Sequence, residues 1–183
     1  MGTTDVFLLV ILVSTVLVGF FWGAARSLML LAAWLAAFIA GAYLKLQVGS
    51  WLARQWTTLD PSFNEAAAFG IIFVGLLVMA PIAIVVGTSG DQGLTRHQYL
   101  DDAVGAVFAG FVALLGIAGV MIVLSTYYAD RSVADVVAPV WVTDLHRSLY
   151  ASGLGSAIEE RFIPLLGAVL GPLLPPDVRE VMV

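Results

Sequence analysis

Four long apolar runs, none holding a charged residue, constrain this chain more than any other feature. They are residues 6–22 (VFLLVILVSTVLVGFFW), 28–44 (LMLLAAWLAAFIAGAYL), 66–87 (AAAFGIIFVGLLVMAPIAIVVG) and 103–128 (AVGAVFAGFVALLGIAGVMIVLSTYY). Each is long enough to cross the ~30 Å hydrocarbon layer of a bilayer. Lipid offers the backbone no water, so each run must close its hydrogen bonds internally as a helix. Only 11% of the 183 residues are charged, against about 25% in soluble domains. So few charges cannot coat a soluble globule of this size. The expected fold is an all-α membrane protein of four transmembrane helices with interfacial amphipathic helices. Residues 1–128 would form the membrane domain and 129–183 an amphipathic peripheral tail.

The ends of the runs set the expected topology. Runs one and two are joined only by GAARS (23–27), and a link that short makes antiparallel neighbours, a helical hairpin. Arg26 then stands at a water-facing turn where its charge can reach headgroups. Residues 45–65 place Val48, Trp51, Leu52 and Trp56 near one helical face, which predicts a short helix lying in the interface. A turn at Asp60–Pro61 and a Gly-rich polar loop before run four complete the connections. The opening MGTTD lacks the basic residues of a secretory leader, which favours a retained first span. In the tail, Ser132 with Asp135 and Ser156 with Glu159 fit helix starts. Residues 162–174 (FIPLLGAVLGPLL) are too short and broken for a span, so an interfacial or re-entrant helix is expected there. Counting Lys and Arg near the spans puts both termini on the cytoplasmic side by a thin margin.

Small residues recur at four-residue spacing, as membrane helices need when their backbones approach closely. Gly19 and Gly23 form one pair; Ala33, Ala37 and Gly41 lie beside a parallel line of Ala32, Ala36 and Ala40. Gly105 and Ala109 are flanked by Gly110. These are the expected helix-packing positions, with more small residues on the second span than one neighbour requires. Pro81 removes a backbone donor inside the third span and marks a kink or hinge.

The candidate chemistry is sparse. A net charge of −5 without clustered Lys or Arg argues against a nucleic-acid partner. The chain has no cysteine, and so no disulfides or thiol chemistry. His97 and Asp101 would share a helix face and could suit a metal or a proton relay. Two ligands do not make a metal site, and Asp101 with Asp102 also suits the start of a helix. No nucleophile–base–orienter set and no phosphate loop is visible, so neither an enzyme nor a cofactor is expected.

Several of these residues carry a resemblance. Asp5 opens the first span, Gly23 and then Arg26 form its turn, and GLTRHQYLDDAVGAVFAG (93–110) leads into the fourth with Gly93, Leu94, Asp101 and Gly105 in place. VWVTDLHRSL (140–149) follows. In this order the features resemble the colicin V production protein family over roughly residues 4–150. The pattern is short and glycine-based. Three arginines of it are missing, with Trp22, Asp102 and Val112–Ala113 standing in their places. The resemblance implies a multi-pass bacterial inner-membrane protein tied to colicin V secretion and envelope upkeep. Some relatives fuse the four spans to an extracytoplasmic trypsin-like protease, which implies termini outside. The 55-residue tail here is too short for that domain. The expected role is a non-enzymatic scaffold or accessory subunit. It would pack through small-residue faces against the lipid bilayer and another membrane protein or a second copy. The alternatives are a homo-oligomeric pore or small-solute transporter, and a subunit of a larger membrane complex.

Overall fold

The computed structural model describes residues 2–57, 61–87, 98–128 and 140–182. No strand occurs among them. Three long helices dominate: α1 (Thr3–Gln55), α2 (Pro61–Gly87) and α3 (Gln98–Tyr128). All three are long and apolar enough to cross a membrane, over Thr3–Gln55, Phe63–Gly87 and Tyr99–Ser125.

The first of them is not straight. Gly23 sits at φ 76, ψ 174, outside any helical region, and divides α1 into two arms. The chain folds back at that residue. The Ser27 hydroxyl reaches the Gly19 carbonyl at 3.4 Å, although eight residues of straight helix would separate the two by about 12 Å. Contacts along α3 give the same direction. Gly19 meets Gly105 and Ala109, Gly110 faces Val16, and Leu8 lies by Leu114 and Ile117, so the first arm runs antiparallel to α3. Beyond the elbow Trp34 reaches Gly116 and Gly119, so the second arm runs parallel to α3. The runs expected at 6–22 and 28–44 are therefore the two arms of one helical hairpin.

α2 packs antiparallel to the second arm, with Gly41 against Phe69 and Gly49 against Glu65. It continues across Pro81 as one helix. At the centre of the bundle, Trp34 stacks on Phe38 with ring centroids 5.7 Å apart and meets Phe73 edge-on at 4.8 Å. Mid-span Trp34 is a packing residue, 2% exposed.

The tail adds α4 (Val140–Tyr150), α5 (Gly153–Ala157), α6 (Ile163–Leu170) and α7 (Pro176–Val181). A π-turn, Ile158–Phe162, joins α5 to α6, and a 3-10 turn, Gly171–Leu173, follows α6. Ile163, Leu166, Leu170, Leu174, Val178 and Met182 bury their side chains in the same core as Trp34 and Met121. On the outer side of α6 and of the 3-10 turn that follows it, Leu165, Val169 and Leu173 stay exposed at four-residue spacing.

Two expectations are corrected here. The interfacial helix anticipated within 45–65 does not form as a separate element, because the second arm continues unbroken to Gln55. Nothing in the intervening sequence breaks a helix, and Gly41, Lys45 and Gly49 share one buried line facing α2. Lys45, the first residue of that stretch, is 2% exposed. The expected helix start at Ser156 with Glu159 is also displaced. Ser152 is the N-cap, its Oγ accepting from the Gly155 N–H at 2.9 Å, while Glu159 falls in the π-turn. The turn at Asp60 and the start at Ser132 with Asp135 lie outside the described residues.

Candidate functional site at the helical elbow

The densest meeting of the singled-out residues is the elbow itself. Gly19 and Gly105 touch backbone to backbone. A methyl group built on Gly105 would stand 2.5 Å from the Gly19 carbonyl oxygen and 2.8 Å from that of Gly23; one built on Gly19 would stand 2.6 Å from the Gly105 carbonyl oxygen and would overlap the Ala109 methyl. Gly23 is the only described residue with a positive φ. Its Cα faces the carboxylate of Asp101, so closely that a β-carbon on Gly23 would collide with Oδ2.

Asp101 belongs to the first turn of α3, where a negative charge complements the helix dipole. The same carboxylate lies against the start of the second arm. Asp101 is 7% exposed, and its Oδ1 has no hydrogen-bond partner among the described residues. Ser27 is buried too, and its hydroxyl donates to the Gly19 carbonyl, one of the acceptors freed where the first arm ends. Arg26 stands one turn past the elbow, half-buried and engaged in an interaction of its own.

Asp5 lies at the far end of the first arm. Eighteen residues of helix separate it from Gly23, about 27 Å, close to the thickness of the hydrocarbon layer. Its carboxylate accepts from the Gly2 N–H at 2.9 Å and from the Leu154 N–H of α5 at 3.1 Å. Nearby, the Tyr150 hydroxyl pairs with the Ser125 hydroxyl and donates to the Met121 carbonyl at 3.3 Å. Burial pushes the Tyr150 phenol above its usual range, against a smaller opposing effect of the Ser125 hydrogen bond. It stays protonated and remains a donor.

Asp5→Ala is expected to loosen the tail, because two N–H groups lose their acceptor. Limited proteolysis of the purified chain should then cut around Gly153 severalfold faster, with Asp5→Asn intermediate. An unchanged cleavage rate in Asp5→Ala would remove this fastening role.

The remaining positions sort clearly. Gly19, Gly23, Asp101, Gly105 and Ala109 come together at the elbow, with Gly110 one step along facing Val16. Ala37 and Gly41 are buried on the side facing α2, and Ala33 is half-buried. Pro81 stands apart on α2. Gly93 and His97 lie outside the described residues, and among the described residues no group of three metal-ligating side chains occurs. Sequence reasoning missed Ser27, the Leu154 partner of Asp5 and the burial of Lys45 and of Asn64. For Lys45 a signal existed, since it lies midway between Gly41 and Gly49 at four-residue spacing.

A helical bundle whose three long helices are apolar and of membrane length defines an integral membrane protein. Residues 4–159 match the family model for the colicin V production protein, and the chain belongs to that family. No curated protein and no solved structure matches it.

Proposed function

We propose that the chain is a non-catalytic subunit of the bacterial inner membrane. It crosses the bilayer four times, counting each arm of the hairpin, and serves secretion or envelope maintenance as a scaffold or accessory protein. One observation carries this reading. Of the two lines of small residues on the second arm, Ala37 and Gly41 are consumed inside the bundle, whereas Ala32 and Ala36 are exposed. Leu28 and Tyr43 are exposed on the same arm. A small-residue strip turned outward lets a further helix approach closely. The buried acids support a structural role as well, since Asp5 is spent on holding the tail.

The experiment is native mass measurement after gentle extraction from the source membrane, with identification of whatever accompanies the chain. A stoichiometric foreign membrane protein is expected, and Ala32→Phe with Ala36→Phe should release it while the bundle stays folded. A clean homo-oligomer of the chain alone would overturn the accessory reading in favour of a pore.

A further inference from the structure

A wide opening lies on α2. It is a groove of about 1010 Å³ that begins at Gln55 and Thr57, passes Trp56 and Trp141, and follows α2 from Phe63 to Gly75. Gly70 and Gly75 leave open space, since a β-carbon on either would meet nothing within 4 Å among the described residues. Along α2 the groove extends over twelve residues, about 18 Å of helix, which is close to one leaflet's half of the ~30 Å hydrocarbon layer. Past Gly75 the helix presents Val78, Met79 and Ile82 instead, all exposed and bulky.

The groove is graded from end to end. Its deep end is aliphatic. Its mouth carries two tryptophans, residues that favour headgroup level, and the amide and hydroxyl of Gln55 and Thr57. Arg54 is exposed in the last turn of α1, one residue before Gln55. A guanidinium there complements a phosphate. A partner helix fits less well, because it is about 10–12 Å across and must run the full membrane thickness, whereas the small-residue floor covers only half of α2.

We propose that this groove seats an acyl chain of an anionic phospholipid, with the lipid's phosphate held by Arg54. The proposal rests on the reading that α2 crosses the bilayer.

The test uses the full chain, purified in mild detergent and supplied with phosphatidylglycerol or phosphatidylcholine of identical acyl composition. Native mass spectrometry reads the lipid that stays bound. Phosphatidylglycerol should be retained by the native chain. In Gly70→Leu with Gly75→Leu, where added side chains fill the groove, binding should weaken about tenfold or more. Thermal unfolding of that variant checks that the fold stands. Arg54→Gln leaves the packing untouched and should abolish the preference for phosphatidylglycerol over phosphatidylcholine. Equal retention by the filled variant overturns the proposal, as does a native dimer that the filled variant breaks, which would give the groove to a second copy. An unchanged preference in Arg54→Gln overturns the headgroup assignment. A Val78→Cys chain in vesicles separates the two failures: labelling by a water-soluble maleimide would remove α2 from the bilayer and the proposal with it. A protected cysteine with no lipid retention would overturn the groove alone.

Discussion

Gly105→Ala is expected to leave little folded protein. The added methyl would stand 2.5 Å from the Gly19 carbonyl oxygen and 2.6 Å from the Gly23 carbonyl carbon, and both neighbours are backbone. A flexible side chain could turn away; a helix backbone moves only by shifting the arm. Overpacking a well-packed core typically costs ~1–3 kcal/mol, occasionally more. With backbone on both sides, Gly105→Ala belongs at or beyond the upper end of that range. Gly19→Ala should behave alike, since it drives a methyl into Ala109 and the Gly105 carbonyl. Gly70→Ala supplies the contrast. It adds the same methyl to a helix where nothing among the described residues lies within 4 Å, and alanine exceeds glycine in helix propensity by ~1 kcal/mol. Thermal unfolding in detergent, followed through tryptophan fluorescence, should rank Gly70→Ala at or above the native chain, with Gly19→Ala and Gly105→Ala far below. Equal midpoints for Gly70→Ala and Gly105→Ala would show that the first arm and α3 do not touch at the elbow.

Gly23→Ala should be nearly as damaging, for two separable reasons. At φ 76 and ψ 174 the backbone occupies a region open almost only to glycine, at a cost of ~1–3 kcal/mol for other residues. The new side chain would also strike the Asp101 carboxylate. Shortening that carboxylate removes the second penalty and leaves the first. The double variant Gly23→Ala with Asp101→Ala should therefore recover part of the stability lost in Gly23→Ala, measured against Asp101→Ala alone. Residues in contact couple in such cycles by ~0.5–3 kcal/mol. Strict additivity would mean that the elbow and Asp101 act independently.

Much of this arrangement can be read from local sequence. The hairpin follows from two apolar runs joined by five residues, and glycine at 19, 23 and 105 predicts close approach without any knowledge of the partner. Trp34, alone in mid-span, reads as packing and is packing. What could not be read depends on distant parts of the chain. Lys45 looks like the start of a loop because a charge is expensive in lipid, yet the helix continues and packing against α2 buries it. Ser156 with Glu159 has the spacing of a capping pair, but Ser152 captures the role four residues earlier, where Gly155 brings its N–H against the serine oxygen. The partner of Asp5 lies 149 residues away, beyond any periodicity argument.

That separation has a consequence in time. Leu154 is made 149 residues after Asp5, which at ~5–20 residues per second is about 7 to 30 s of synthesis. Throughout that interval the first arm exists without its fastening, and the carboxylate has only the Gly2 N–H beside it. The tie closes only once residue 154 has been translated and has folded back to the first arm. Asp5 thus reports that synthesis has passed residue 154: a ribosome that stops short of it releases a chain whose Asp5 carboxylate still lacks the Leu154 N–H.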